Sequence, residues 1–417
     1  MIDEIVEKAL GGDTLMRDFA AICDTGGRFA GSDSEQAARE YLADRLRATT
    51  GTAPTLAPVD YLGWSRGDTA LERLDGVGGT FPCVSLVRSP TTPDAGLVAE
   101  LIDVGRGSEQ DFQALSREIE GRIVLVRHEY MFATGTIHRR RKYQWAMDHG
   151  AVGFLIACHL PNAGPVTGSS GATPDRGIPA AGISAEMANV LTEGSPATIR
   201  LRIDADELPC ETANLILDLP GQEPEWVVLS AHIDGHHLAQ SAMDNATGLA
   251  AVLSVAAAMA PNMEHFRRGL RIALFTVEEW ALAGSKDYVD NLSDSERTAI
   301  KLNINLDSIA GSPNLTALTS EFPKLEAWLL AQAGAHGHSL GAHRPLMANS
   351  DHYNFARHGI PATRLVAGFN EPDSQIKYVL TPGDTPDKVA ADDLRRATAL
   401  TAALIAEACR VNKLNLR

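Results

Sequence analysis

The stretch VVLSAHIDGHHLAQSAMDNATG, residues 227–248, decides how this chain is read. It opens on the end of an apolar run, WVVLSA (226–231), that reads as a buried strand. His232, Asp234, His236, His237 and Asp244 then arrive within thirteen positions. TGLAAVLSVAAAMA (247–260) follows and reads as a helix that is apolar on nearly all sides. One strand-to-helix turn thus gathers several groups that bind cations.

The flanking sequence repeats the pattern. LRIALFTV (270–277), KLNINL (301–306) and PATRLVA (361–367) are predicted strands, separated by helical segments such as SKDYVDNL (285–292). ADDLRRATALTAALIAEACR (391–410) reads as a closing amphipathic helix. The alternation predicts an α/β fold, a mostly parallel sheet with helices on both faces. Such sheets bind ligands outside the carboxyl ends of their strands. The first predicted strand ends at His232 and Asp234, the next at Glu278 and Glu279, and the third at Asp307. Asp244 begins the apolar helix, where backbone N–H groups favour an anion. Any one of these acids alone would be read as an N-cap or a solvated loop residue. Four positions at consecutive strand ends are poorly explained that way. One imidazole and several carboxylates at one spot suit a divalent cation such as Zn, Mn or Co. Without one, the carboxylates would repel each other and become partly protonated.

Composition narrows the function classes. Lys and Arg number 37 against 53 Asp and Glu, a net charge of −16, which argues against nucleic acid and anionic membrane partners. The 44% apolar content is that of a soluble globular chain, and no apolar run is read as approaching the ~20 residues of a membrane helix. MIDEIVEKALGGDTLMRDF carries acids where a signal peptide is basic, so a cytoplasmic location is expected. The five cysteines are scattered without a C-x-x-C pair, which suggests neither a disulfide framework nor a thiolate zinc site.

At 417 residues two domains are expected. GGRFAGSDSEQAAREYLADRLRATTG (26–51) reads as a Gly-rich turn and a helix, with Ser34 as N-cap and Ala38, Tyr41, Leu42 and Leu46 on one face. Residues 81–210 have another texture: GRIVLVR (121–127) and AVGFLIA (151–157) as strands, RRRKYQWAMDHG (139–150) as a helix between them. They are expected to form a smaller inserted α/β domain, with 1–80 and 211–417 making the first domain. The basic run 139–142 reads as a solvated helix face.

The motifs AHIDGH, SAMDNATG, FTVEEWALAGSKDYV, NINLDS, NSDHYNFARHGIPA and TPGDTPDKV occur in the order found in the zinc aminopeptidase family of the MH clan. The chain resembles that family, which includes bacterial aminopeptidases, glutamate carboxypeptidases and glutaminyl cyclases. Residues 81–210 are similar to the protease-associated domain that several members carry. The resemblance implies that Asp244 bridges two metals, that His232 and Asp307 complete one site, and that Glu279 serves the other. It makes Glu278 the general base and Asp234 the residue that orients His232. It also implies a cis Asp244–Asn245 peptide.

The sequence departs from the family at one ligand. In KYVLTPGDTPDKV (377–389), Leu380 stands where a histidine closes the second metal site. The expectation is therefore one divalent metal per chain, Zn or Mn, rather than two. A single ion relaxes recognition of a free α-amine. This favours a small-molecule aminohydrolase resembling the 5-nitroanthranilate aminohydrolase branch, which releases ammonia. An aminopeptidase acting on peptides is the alternative, and a non-catalytic binding protein is less favoured because the Glu278–Glu279 pair is kept. His352, Arg364, Tyr378, His236 and His237 are candidate substrate-binding residues. Lys377, His343 and Arg344 are further candidates to hold a substrate carboxylate. A homo-oligomer is compatible with this reading.

Overall fold

The computed structural model describes residues 1–75, 79–194, 196–280 and 282–417; Ala281, inside the FTVEEWALAGSKDYV stretch, lies outside them. The chain divides into two compact units, residues 1–61, 211–379 and 384–417 forming the first and 62–210 with 380–383 the second. Residues 62–75, 79 and 80, expected in the first unit, therefore belong to the second. The division falls inside two long strands, Thr55–Arg73 and Thr198–Leu219, beside Gly63 in the first and Pro209 in the second.

In the first unit, the strands Ala362–Ala367, Ile300–Leu306, Glu223–His232 and Arg268–Phe275 lie side by side in that order, all parallel. Antiparallel neighbours close both flanks: Leu315–Leu318 against Ala362–Ala367, and residues 215–219 against Arg268–Phe275. Gly341–His343 adds an outer strand parallel to Leu315–Leu318. The sheet is mixed, with its parallel strands at the centre. Val228, Ala273, Phe275, Ile300 and Ala362 pack on Val289, Phe355 and Ile360 in one fully buried cluster.

Strand order matters more than strand count. The chain lays Glu223–His232 first, adds Arg268–Phe275 on one side, then Ile300–Leu306 on the other. That reversal is a topological switch point, the place where open α/β sheets form ligand crevices. His232 and Asp307 stand at the ends of the two strands that flank it.

The helix Thr247–Met259 is apolar on all sides because it is buried on all sides. Counted with its flanking turns, Ala242–His265 is long and apolar enough to cross a membrane, contrary to the reading of the sequence, but 78% of its most apolar window is buried inside the protein. It is built as a core helix. Asp33–Thr50 is capped by Ser32, whose side chain accepts from Glu35 N, and not by Ser34. Ser34 Oγ accepts instead from Arg28 N at 3.0 Å.

The second unit has its own sheet. Leu97–Asp103, Ile123–Arg127, Gly153–Ala157 and Ala180–Ile183 run parallel, and Cys83–Ser85 closes one edge antiparallel. Ile123, Leu125, Leu155, Ala157, Ala181 and Ile199 form its core. The helix Arg139–Asp148 corrects one expectation, since Arg139 and Lys142 are buried rather than solvated. Lys142 Nζ pairs with Glu129 at 2.6 Å and donates to the Arg127 carbonyl at 2.8 Å. All five cysteines are free.

Candidate metal centre

His232, Asp244 and Asp307 come together: one ligand atom from each lies within 4.8 Å of the others, and all three residues are buried. His232 Nε2 is 3.0 Å from Asp244 Oδ1 and 3.7 Å from Asp307 Oδ1. Among the described residues, Nε2 nevertheless has no hydrogen bond of acceptable geometry. The other ring nitrogen, Nδ1, is 2.9 Å from the Asp234 carbonyl. A neutral imidazole that donates from Nδ1 turns the lone pair of Nε2 toward two carboxylates. That arrangement is repulsive unless a cation lies between them. Nitrogen and carboxylate oxygens are the donor types a zinc-like ion accepts, so these residues fit the group.

Electrostatics agree. Burial alone would lower the His232 pKa, but Glu278, Asp244 and Asp307 face the ring and hold it well above the ordinary 6.5. Burial, joined by the charges of Asp351 and Asp307, pushes Glu278 well up. Asp351 is raised to about 7, mainly by burial. Excess negative charge is thus confined at the sheet edge, and in the absence of an ion protons take its place.

Each turn that carries one of these groups includes a non-glycine residue at positive φ: Ser241 (49°) before Asp244, Val277 (56°) before Glu278, and Ser308 (60°) after Asp307. For a β-branched residue such as Val277 this is a true outlier, and strain of this kind clusters at functional sites. The Asp244–Asn245 peptide is cis, as the resemblance implied.

Several positioning residues escaped the sequence reading. Asn245 donates to the Leu306 carbonyl at 2.8 Å and accepts from Gly248 N and Ser308 N, tying the Asp244 turn to the end of the strand before Asp307. Gly248 permits this approach, because a Cβ there would meet Asn245 Oδ1 at 2.4 Å and the Leu306 carbonyl at 2.6 Å. Asp384 accepts from Met243 N at 2.7 Å and Asp244 N at 3.4 Å. Ser350 Oγ donates to Asp307 Oδ2 at 2.5 Å. Each works on backbone atoms or on a ligand's second oxygen, so none has a ligand's spacing in the sequence. The Asn following Asp244 and the Asp of TPGD were the available signals.

The remaining candidates are dispersed. Asp234 meets His232 through its carbonyl, its carboxylate oxygen being 3.9 Å from Nδ1; the carboxylate holds the main chain of Glu278 and Glu279 instead. Glu279 is outside the three-residue group. His236 Nδ1 accepts from Leu238 N, and its Nε2 is 3.8 Å from Asp384. His237 is exposed and packs edge-on against Phe29. His352 is fully buried, its pKa lowered to about 3 by burial and by Arg364. Tyr378 carries Lys377 and Lys388 over its ring. His343 packs on Phe369, and Arg344 pairs with Glu326 at 2.8 Å. Arg364, expected to meet a substrate, is buried against Asp307. Leu380 has φ 65°, is buried, and accepts from Thr167 N through its carbonyl.

Residues 214–405 match the model of peptidase family M28, and residues 84–191 match that of the PA domain. Among curated relatives, Aminopeptidase YwaD of Bacillus subtilis is 26% identical over 330 residues, covering 78% of this chain and 70% of the relative. Probable leucine aminopeptidase 2 of Aspergillus fumigatus is 27% identical over 379 residues, covering 86% and 72%. The fold matches a peptidase M28 precursor from Shewanella amazonensis with a TM-score of 0.81 at 22% identity, over 100% of this chain and 97% of that one. It also matches BSAP, a zinc aminopeptidase from Bacillus subtilis, with a TM-score of 0.76 at 23% identity over 97% of each chain.

Proposed function

We propose that the chain, whose residues 214–405 match peptidase family M28 and whose residues 84–191 match the PA domain, is a metal-dependent hydrolase of C–N bonds and an aminopeptidase releasing N-terminal residues from peptides. The curated relatives described above are named as aminopeptidases, which favours this reading over the aminohydrolase expected from the sequence. The observation that carries it is His232 Nε2, turned toward Asp244 and Asp307 with no well-formed hydrogen bond of its own among the described residues.

In this reading His232, Asp244 and Asp307 would hold one divalent ion, zinc or manganese. When bound, the ion lowers the pKa of water toward ~7 and polarises the scissile carbonyl. Glu278 takes a proton from the attacking water and passes it to the departing amine. Its placement depends on Asp234, which fixes the peptide planes on both sides of it. Glu279, adjacent and only partly buried, is left to meet the substrate's ammonium.

One observation favours a second reading. Leu380 offers no donor where the family places a histidine, and a site with one ion holds an α-amine less firmly. A small aromatic amine would then be hydrolysed to release ammonia. The test is one assay set: release of amino acids from a dipeptide panel, and of ammonia from aminobenzoates, with wild type and Glu278→Gln. Dipeptide turnover that falls at least ~100-fold in the variant supports the aminopeptidase. Ammonia release without dipeptide turnover replaces it with the second reading.

A further inference from the structure

Arg364 enters from the strand Ala362–Ala367, whose parallel neighbour Ile300–Leu306 ends one residue before Asp307. Both side chains are almost fully buried, and Arg364 Nη2 lies 3.0 Å from Asp307 Oδ1. Nη1 donates to the Asn349 carbonyl at 3.0 Å, and Nε reaches the Asp307 carbonyl at 3.4 Å. We propose that Arg364 is a resident counter-cation, a positioning residue that weakens the hold of the site on its divalent ion and keeps that ion exchangeable. The inference rests on the metal-holding role proposed for His232, Asp244 and Asp307.

The sign follows from two facts. A fixed positive charge on a ligand's own oxygen draws electron density from it and repels an incoming dication, with little water between to screen the effect. Orientation of Asp307 does not depend on the arginine alone. Ser308 Oγ donates to Oδ1 at 3.1 Å and Ser350 Oγ to Oδ2 at 2.5 Å. Removing the guanidinium therefore costs more repulsion than geometry. A buried arginine already committed to a carboxylate and two carbonyls is also poorly placed to grip a substrate.

The experiment is Zn²⁺ titration of the metal-free full-length chain against a chromophoric chelator, in wild type, R364Q and R364K. R364Q is expected to bind Zn²⁺ roughly tenfold more tightly, within the range by which partners of metal ligands act. Its metal-free form should melt at lower temperature, because Asp307 loses its ion pair. R364K keeps the charge and should stay near the wild-type affinity. A purely structural role would lower the melting temperature and leave affinity unchanged; unchanged or weaker binding in R364Q overturns the proposal. Should R364Q not fold, the side-chain ¹⁵N signal of Arg364, assigned by its loss in R364K, must move when Zn²⁺ is added to wild type. An unmoved signal is equally fatal. A wild-type chain that binds no Zn²⁺, like His232→Ala, would overturn the metal reading itself, which is a distinguishable result.

Discussion

The Asp234 carboxylate accepts the main-chain N–H groups of both Glu278 (3.0 Å) and Glu279 (3.1 Å), while the Asp234 carbonyl accepts His232 Nδ1 (2.9 Å). One residue therefore sets the tautomer of the candidate ligand and the position of the candidate base. Asp234→Asn keeps the carbonyl and the shape but replaces one acceptor oxygen with an NH₂ group facing an N–H. His232 should be unaffected and Glu278 displaced. The expected outcome is kcat lowered by roughly 10–100-fold with Zn²⁺ affinity close to wild type. Steady-state kinetics beside metal titration checks this. A large loss of metal affinity with kcat intact would show that Asp234 acts on the ring instead.

Metal binding should depend steeply on pH, and in one direction. Burial lowers the His232 pKa, but the facing carboxylates of Glu278, Asp244 and Asp307 raise it well above 6.5 in the metal-free protein. With a folded pKa above the unfolded one, the protonated ring stabilises the metal-free chain fully below about pH 6.5, and that contribution is lost as pH rises through the raised value. An incoming ion must displace this proton. Zn²⁺ affinity should therefore climb about tenfold per pH unit for as long as the ring stays protonated, instead of levelling off near the ordinary imidazole value. Competition titrations from about pH 6 to pH 8 measure it. A flat profile would mean that the ring is already neutral there.

How much of this was legible in the sequence depends on where the information sits. The central strands and the apolar helix Thr247–Met259 announce themselves because burial on both faces leaves continuous apolar runs. The acids at strand ends stand out because the runs they follow contain no other acid. The strands Thr55–Arg73 and Thr198–Leu219 do not, because their buried residues are interspersed with half-buried and exposed ones and they carry charge along their length. That is why the first boundary was expected near residue 80. The burial of Lys142 was hidden for a related reason: a basic run looks solvated until its partner, Glu129, folds over from another segment. Asn245, Ser350 and Asp384 work through contacts to distant backbone or to a ligand's far oxygen, which spacing along the chain does not encode.

Asn245 offers a stability test of that hidden layer. Its side chain is fully buried, donating from Nδ2 to Leu306 O and accepting at Oδ1 from Gly248 N and Ser308 N. Asn245→Asp is isosteric, yet it places an oxygen against the Leu306 carbonyl and a new charge beside Asp244. The loss should be about 2–4 kcal/mol, the cost of a buried acceptor left facing an acceptor with added charge. Urea unfolding followed by tryptophan fluorescence should show a lower midpoint at unchanged slope. A midpoint within error of wild type would mean that the turn relaxes around the substitution.

The second unit allows a sharper contrast, because its buried ion pair can be broken from either side. Lys142 is fully buried, and burial lowers its pKa against the opposing pull of Glu129. Glu129 also accepts from Arg106 at 2.7 Å. Glu129→Gln leaves the lysine charge without its counter-ion in an apolar surround and should cost about 3–5 kcal/mol. Lys142→Met removes the buried charge, fills a similar volume, and leaves Glu129 paired with Arg106. It should cost much less, within about 1.5 kcal/mol, the range for volume-conserving core changes. The two variants therefore differ in magnitude although each deletes the same salt bridge. Thermal unfolding resolved into separate transitions for the two units is the measurement, since a single midpoint would average them. Equal losses would show that the pair itself, and not the stranded charge, carries the stability.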